Sequence, residues 1–375
     1  MKRVVLLLCM LAGGLAAAAA FSQNPSPSQT RTRAQRLMQD GNFRDAYEGF
    51  RRLLLSPATE PRQAPQDLAN AVQCLNQLGR IAEFDELVES TVAAHPANWR
   101  LLATAAQQYL SVQHQGFLIA GKYERGPHRG GGQMVSSVER DRVRALQLLV
   151  QALPLAQQDD QKAEVAELYL RLAEALLNNR GYYEAWRLQA LTDLKSLPDY
   201  DESYQFYREY VGAPVDADGQ PVYHTLPATW DAAQTDGQRW RWALAQVVEN
   251  APARKNAVRL HLARFYEEQF GVQTLANRRW FGRGAFLGGS DDGRQDESGT
   301  YALHTLKETE TIARLANGIK RFELPDEFNY IRLYQQIVAE PQTGLAEQAL
   351  GHLAQIFENR RQYPRAAEYW KESIA

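Results

Sequence analysis

Cysteine is nearly missing from this sequence of 375 residues: Cys9 and Cys74 are the only two. Cys9 lies inside an apolar N-terminal run, after Leu8, and is expected to leave with it, so Cys74 has no partner for an intrachain disulfide and the fold must be held by packing. Cys74 itself falls in an apolar helical stretch, Ala71 to Leu75, which suits a buried, inert thiol. No excess of basic charge is present, with 42 Lys and Arg against 44 Asp and Glu, and this excludes the electrostatic footprint of a nucleic-acid binder. Past the N-terminus no hydrophobic run approaches membrane length, so no stable span is expected once that segment is gone. The histidines (His95, His114, His128, His224, His261, His304, His352) form no pair at metal-ligand spacing. There is no nucleophile elbow, no P-loop and no dinucleotide fingerprint, and Ser290 to Asp292 has no assignable base. These absences predict no cofactor, no metal and no enzymatic activity.

What is present begins at residues 1–20. Lys2 and Arg3 precede an apolar run from Val4 to Ala12, and Ala16 to Ala20 give a small-residue exit, the pattern of a secretory signal. The chain is therefore expected to be exported, to the periplasm or the cell exterior. Removing Lys2 and Arg3 leaves 40 basic against 44 acidic residues, a formal charge of about −4. Residues 21–30, rich in Ser, Gln and Pro, read as a flexible linker.

The remainder is periodic. Leu350, Leu353, Ala354 and Phe357, followed by Tyr363, Ala366 and Trp370, alternate large and small residues as two packed helices require. Ala34 and Leu37, then Gly41, Phe43, Ala46 and Phe50, repeat that plan, with Pro57 as terminator. Leu68, Ala71, Val72 and Leu75, then Gly79, Phe84, Val88 and Pro96, give another unit, and Tyr169, Leu172, Ala173 and Leu176, then Tyr182 and Ala185 with Pro198, a further one. Trp99 to Tyr109 reads as a first helix whose partner, Asp141 to Ala152, is displaced by an insertion at 113–137. Glycines 130–132 make that insertion a loop or short hairpin. The expected fold is thus all-α: a tetratricopeptide-like α-solenoid of antiparallel helix pairs carrying a small β-hairpin and Gly-rich loops. Repeats fill 31–200 and, again, 301–375. An irregular helical segment at 201–300 holds the hairpin at 212–230, helices at Arg239 to Glu249 and Ala257 to Phe270, and a long loop at 278–299 with six glycines. Helices are expected at Tyr301 to Ala316 and Asp326 to Ala339.

Candidate interaction residues lie at the breaks in this pattern. Arg125, His128 and Arg129 among glycines offer an anion nest, weighed against a structural loop whose arginines pair with the helices below. Asp216 and Asp218 before Gly219 resemble a calcium loop without its closing glutamate, so a turn is the better reading, and Asp291, Asp292, Asp296 and Glu297 read as a solvated loop. Aromatics gather between Tyr204 and Trp242. Most belong to a core, but Trp240 and Trp242 flank Arg241 and point to different sides of a helix, leaving Trp230 and Trp242 as surface candidates for stacking on sugar rings or gripping a peptide.

Four strings carry a resemblance: Gly121 to Gly132, Glu139 to Leu146, Trp240 to Ala245 and Ile319 to Asn329. Together they resemble the helical N-terminal region of very large bacterial proteins of the alpha-2-macroglobulin family. In that family protease trapping belongs to macroglobulin-type β-sandwich domains and often to a Cys-x-Glu-Gln thioester. Neither occurs in this sequence, since Cys74 sits in Cys-Leu-Asn-Gln. The resemblance implies a scaffold or docking arm of such an inhibitor system, with macroglobulin-type domains or another envelope protein as partner. The chain stops near the end of its last helix without a polar cap, which predicts continuation or a split protein, with apolar surface exposed around Ile356, Trp370 and Ile374. The alternative from another class is a glycan- or anion-binding module that uses the aromatic cluster and the Arg/Gly loop.

Overall fold

A computed structural model describes residues 25–181, 184–202, 212–272, 302–340 and 344–374. The described residues contain twelve α-helices packed in pairs and two small antiparallel sheets. They divide into two units, one ending at Ser137 and one beginning at Val138.

In the first unit, α1 (Pro27–Gln39) starts inside the segment expected to be linker. Ser26 caps it: its hydroxyl accepts from the Gln29 N–H at 3.3 Å while its own N–H donates to the Gln29 side chain at 3.0 Å. This reciprocal box satisfies two orphan donors and makes Pro27 a favourable first residue. Gly41, at φ 78°, turns the chain into α2 (Phe43–Leu54), which buries Ala46, Tyr47, Phe50, Leu53 and Leu54 on one stripe. The two helices approach closely because small residues meet: a Cβ added to Gly49 would stand 2.8 Å from that of Ala34. Helix α3 (Ala64–Leu78) ends at the left-handed Gly79, and α4 (Phe84–Ala94) and α5 (Trp99–Ser111) follow. Packing runs α1 on α2 and α2 on α3, then α3 on α5, so alternate helices touch. Cys74 is fully buried in α3, and burial pushes its thiol up to about 11.

The 113–137 insertion is more ordered than a loop or hairpin. Strands β1 (Gln115–Ile119), β2 (Lys122–Arg125) and β3 (Gln133–Ser136) form a sheet in the order β2-β1-β3. Ala120 and Gly121, at φ 50° and 81°, close the first hairpin with the primed turn that matches strand twist. The glycines 130–132 span the return to the far edge of β1, placing Met134 and Glu124 on either side of Phe117.

The second unit opens with α6 (Val138–Ala156), packed on α7 (Lys162–Leu177). The second helix expected to follow α7 in its own unit, from Tyr182 to Pro198, does not form among the described residues. Tyr182 lies outside the described residues, and beyond it a short 3-10 turn at Ala185–Gln189 gives way to irregular chain. There Asp193 accepts from the Lys195 N–H and the Ser196 hydroxyl, local bonds that compete with a helix. The partner of α7 is instead α8 (Asp236–Asn250), followed by α9 (Lys255–Phe270). The hairpin expected at 212–230 reduces to one turn. The Asp216 carboxylate accepts from the N–H groups of Asp218 and Gln220, a single bridge joins Val215 to Pro221, and Ala213 pairs with the following sheet at Leu315.

A second correction concerns Tyr301 to Ala316, expected as helix. Tyr301 is outside the described residues, and the rest forms a short 3-10 turn and then the hairpin β4 (Glu310–Leu315) and β5 (Gly318–Glu323). Thr311 and Ile312 favour strand, and Gly318, at φ 118°, permits the tight reversal. Helices α10 (Tyr330–Ala339), α11 (Leu345–Asn359) and α12 (Tyr363–Ile374) complete the unit, with α9 on α10, α10 on α11 and α11 on α12. Within the last pair Leu350, Leu353, Ala354, Phe357 and Ala366 are buried as their spacing requires. Tyr363 is exposed, Ile356 is buried, and Trp370 is half-buried with its indole N–H on Glu358. Among the described residues no helix is long and apolar enough to cross a membrane. The loop expected at 278–299, its acidic cluster and residues 1–20 lie outside the described residues.

Candidate functional site

The feature that sets the first unit apart is the chemistry of α1, α3 and α5. Helix α3 carries one charged residue, Asp67, and α5 one, Arg100. Asp67 is buried and held by Arg31 of α1, whose Nε reaches the two carboxylate oxygens at 2.9 and 3.0 Å and whose Nη2 lies 2.8 Å from Oδ2. Such a two-pronged pair is among the stronger protein hydrogen bonds and removes both charges from the surface. The Arg100 guanidinium lies 4.2 Å over the Trp99 ring. Amides are prominent among the positions left to solvent: Gln66, Asn70, Gln73, Asn76 and Gln77 on α3, and Gln107 and Gln108 on α5.

Gln66, Asn70, Gln73 and Gln77 recur at steps of four, three and four, which aligns them on one stripe of α3. With Gln35, Met38 and Gln39 of α1 and Phe43 of α2, the first three line a groove of about 600 Å³. The Gln66 amide donates to the Asn70 oxygen at 2.9 Å, aligning the two side chains. A carboxamide offers both donors and an acceptor and does not titrate at accessible pH. The groove is thus equipped to hydrogen-bond a neutral ligand.

A second cavity, of about 250 Å³, is different in kind. Tyr47, Glu48 and Arg51 of α2 face Arg80, Glu83 and Glu86 across it. Arg80 donates twice to Glu83, at 2.6 and 2.7 Å, and lies 5.0 Å over the Tyr47 ring. Burial and the Glu83 carboxylate push the Tyr47 phenol up to about 12.

The residues expected from sequence fall elsewhere. Arg125 is withdrawn into the fold: its guanidinium donates to Asp85 at 3.0 and 2.8 Å, to the Gln113 carbonyl at 2.9 Å and to the Ser137 hydroxyl at 3.0 Å, near the rings of Phe84 and Tyr123. It fastens the sheet to α4. His128 stands 5.7 Å from the Phe117 ring and 3.6 Å from Glu124, while Arg129 is exposed. The three do not converge on one nest. Trp230 and Trp242 do come together, edge to face at 5.7 Å, with Tyr169 against Trp242 at 5.6 Å. The Arg239 guanidinium lies 4.7 Å over the Trp230 ring, so one stacking face is already covered. Trp240, by contrast, is fully buried.

The amide stripe carries no charged or aromatic signature of the kind that marks Arg125 or Trp242. Its signal was legible all the same: the count of charges per helix drops to one in α3 and α5, while α2 carries Arg44, Asp45, Glu48, Arg51 and Arg52. No protein-family model matches the chain, and no curated protein matches it.

Proposed function

We propose that this chain is an exported, non-enzymatic helical-repeat scaffold whose α1, α3 and α5 face holds another protein. The observation that carries the reading is the carboxamide stripe of α3 with its groove of about 600 Å³, beside α2, which keeps ordinary mixed charge. A stripe so depleted of charge forgoes the solvation that exposed helices normally have, and desolvating amides on contact costs far less than desolvating ions. We read the packed pairs as tetratricopeptide-like repeats stacked as a solenoid, from the large and small residues buried in α1 to α3, α11 and α12. The resemblance to the helical region of alpha-2-macroglobulin-family proteins makes macroglobulin-type domains the first partner to test, and the N-terminal pattern makes the envelope the compartment.

The glycan-binding alternative loses ground at its own residues, because Trp230 gives a face to Arg239 and Trp242 meets its neighbours edge-on. The anion-binding version loses Arg125 to Asp85. The test is retention from an envelope extract on the immobilised chain, with mass spectrometry of what is held. One dominant protein, lost when Asn70 and Gln73 are both replaced by Ala, is the expected result. Recovery of polysaccharide alone would replace this reading with the glycan-binding one.

A further inference from the structure

We infer that the outer edge of strand β5 pairs with the same edge of a second copy of this chain, joining two hairpins antiparallel into one sheet. The inference is independent of the scaffold reading above and uses none of its residues.

Three observations lead there. The first is that one side of the β4/β5 hairpin is closed and the other open. On the β4 side the Ala213 N–H donates to the Arg314 carbonyl at 2.9 Å, the Ala316 N–H donates to the Ala213 carbonyl at 2.8 Å, and Arg360 donates to the Glu310 carbonyl at 2.9 Å. Residues 310, 312 and 314 thus turn their backbone groups away from β5, and their cross-strand neighbours Glu323, Arg321 and Ile319 turn theirs the opposite way. The backbone N–H and C=O groups of these three meet no partner among the described residues, and all three residues are exposed. A row of unpaired groups of this kind is a template for another strand. The second observation is that the usual protections are missing. Edge strands are commonly blunted by proline, by a bulge or by a free lysine. Gly318–Glu323 holds no proline, and its register with β4 runs unbroken over six pairs. Its cations are drawn back into the fold, Lys320 donating to the Gly219 carbonyl at 3.2 Å and Arg321 to Glu310 at 2.9 Å. Ile319 stands 49% exposed beside them.

The third is self-complementarity, which selects the occupant. Outward-turned residues must meet outward-turned residues, so a twofold antiparallel pairing has few registers. Centred on Lys320, Arg321 or Glu323, it opposes like charges, which is destabilising. Centred on Phe322, it sets Arg321 against Glu323 of the second copy in both directions. Glu323 has no ion-pair partner among the described residues, so this contact answers a free carboxylate. Phe322, half-buried with its ring 5.9 Å from Phe270, then meets its own copy across a non-hydrogen-bonded pair, where facing side chains come closest. Roughly six backbone hydrogen bonds form in that register, Pro325 opposite Ile319 contributing its carbonyl alone.

The experiment follows sedimentation velocity of the full chain from about 1 to 300 µM, with hydrogen exchange at both ends of that range. A strand pairing of this size falls below the area of a stable complex. The expected result is therefore a monomer–dimer equilibrium with Kd of about 10–100 µM, and protection of the Ile319, Arg321 and Glu323 amides that rises with concentration. Glu323→Pro removes an outward donor and the carboxylate but no bond within the hairpin, and should weaken the dimer about tenfold or more while melting of the dilute chain is unchanged. Glu323→Gln should weaken it about fivefold, since the twofold axis repeats the lost ion pair. A chain that stays monomeric throughout overturns the inference, and slow exchange of those three amides in that monomer would show the edge covered by other means. A dimer indifferent to Glu323→Pro overturns it too, because self-association then lies elsewhere, as does a dimer that Glu323→Gln leaves unchanged or tightens.

Discussion

The two units solve the same packing problem by different means. In the first, each helix from α1 to α3 packs on the next and α3 reaches past α4 to α5, and the charge it buries is fastened by two separate pairs, Arg31 with Asp67 and Arg125 with Asp85. In the second, α7 finds its partner only after residues 178–235, and a buried polar network ties that excursion down. Arg142, fully buried on α6, donates to Asp236 at 3.2 Å and to the Leu176 carbonyl at 3.1 Å. Asp236, the first residue of α8, also accepts from the Thr192 N–H at 3.0 Å and from its hydroxyl, and Arg239 reaches the Thr192 carbonyl at 3.0 Å. Arg180 pairs with Glu139 beside them. A long excursion has many ways to sit on its helices, and the few that bring Thr192 and Asp236 to Arg142 are the ones this network favours.

The contrast can be broken most severely at Asp236. Replacing it with Ala strands Arg142 in a site where burial already lowers its pKa, and the expected cost is about 3–5 kcal/mol. Hydrogen exchange should quicken across 138–272 and stay slow across 25–137. Equal loss of protection in both units would show that they do not respond separately.

Acid should act next, again on the second unit. His224 is buried against Gly237, and burial with the nearby Arg241 charge pushes it down to about 4 from 6.5. Between those values the unfolded chain takes up a proton that the folded chain refuses. The stabilisation is therefore complete above about pH 6.5 and falls by about 3 kcal/mol as pH drops through about 4. Urea denaturation at a series of pH values should give a steeper acid loss for the natural chain than for His224→Gln. Identical slopes would remove His224 as the cause.

For the first unit the matching lesion is Gly49→Val, which drives methyl groups into Ala34 where even a Cβ would stand too close. A cost of about 1–3 kcal/mol is expected, read as faster exchange confined to 25–137. The smallest effect belongs to Gln77→Ala and Gln107→Ala, both exposed, whose melting should shift by no more than about 0.5 kcal/mol. A larger shift would mean that the amide face is part of what holds the helices together.

These differences mark what was readable in advance. The pairs built from Ala34, Ala46, Phe50, Leu68, Ala71, Leu75, Leu353 and Phe357 followed from spacing, because a helix buries residues at a fixed period and a short turn leaves its neighbour no other place to pack. The strand at 310–315 lies where the sequence predicts helix because Glu, Thr, Ala and Arg tolerate either state, and only pairing of β4 with β5 and of Leu315 with Ala213 decides for strand. Of the two readings open for Arg125, the anion nest and the loop arginine paired with a helix below, the structure has the second, and a sequence shows that an arginine lies among glycines but not that Asp85, forty residues earlier, is its partner.

The sequence by itself determined the pairs α1 with α2 and α11 with α12, the turn glycines at 41 and 79, and the poverty of charge on α3 and α5, all of which depend on residues near one another in the chain. Tertiary structure alone decided that α7 pairs with α8, that 113–137 closes into a three-stranded sheet, and that the amides of α1 and α3 share one groove. Those outcomes turn on contacts between residues far apart in the chain, where hydrogen-bond partners and burial, rather than local preference, carry the larger free energy.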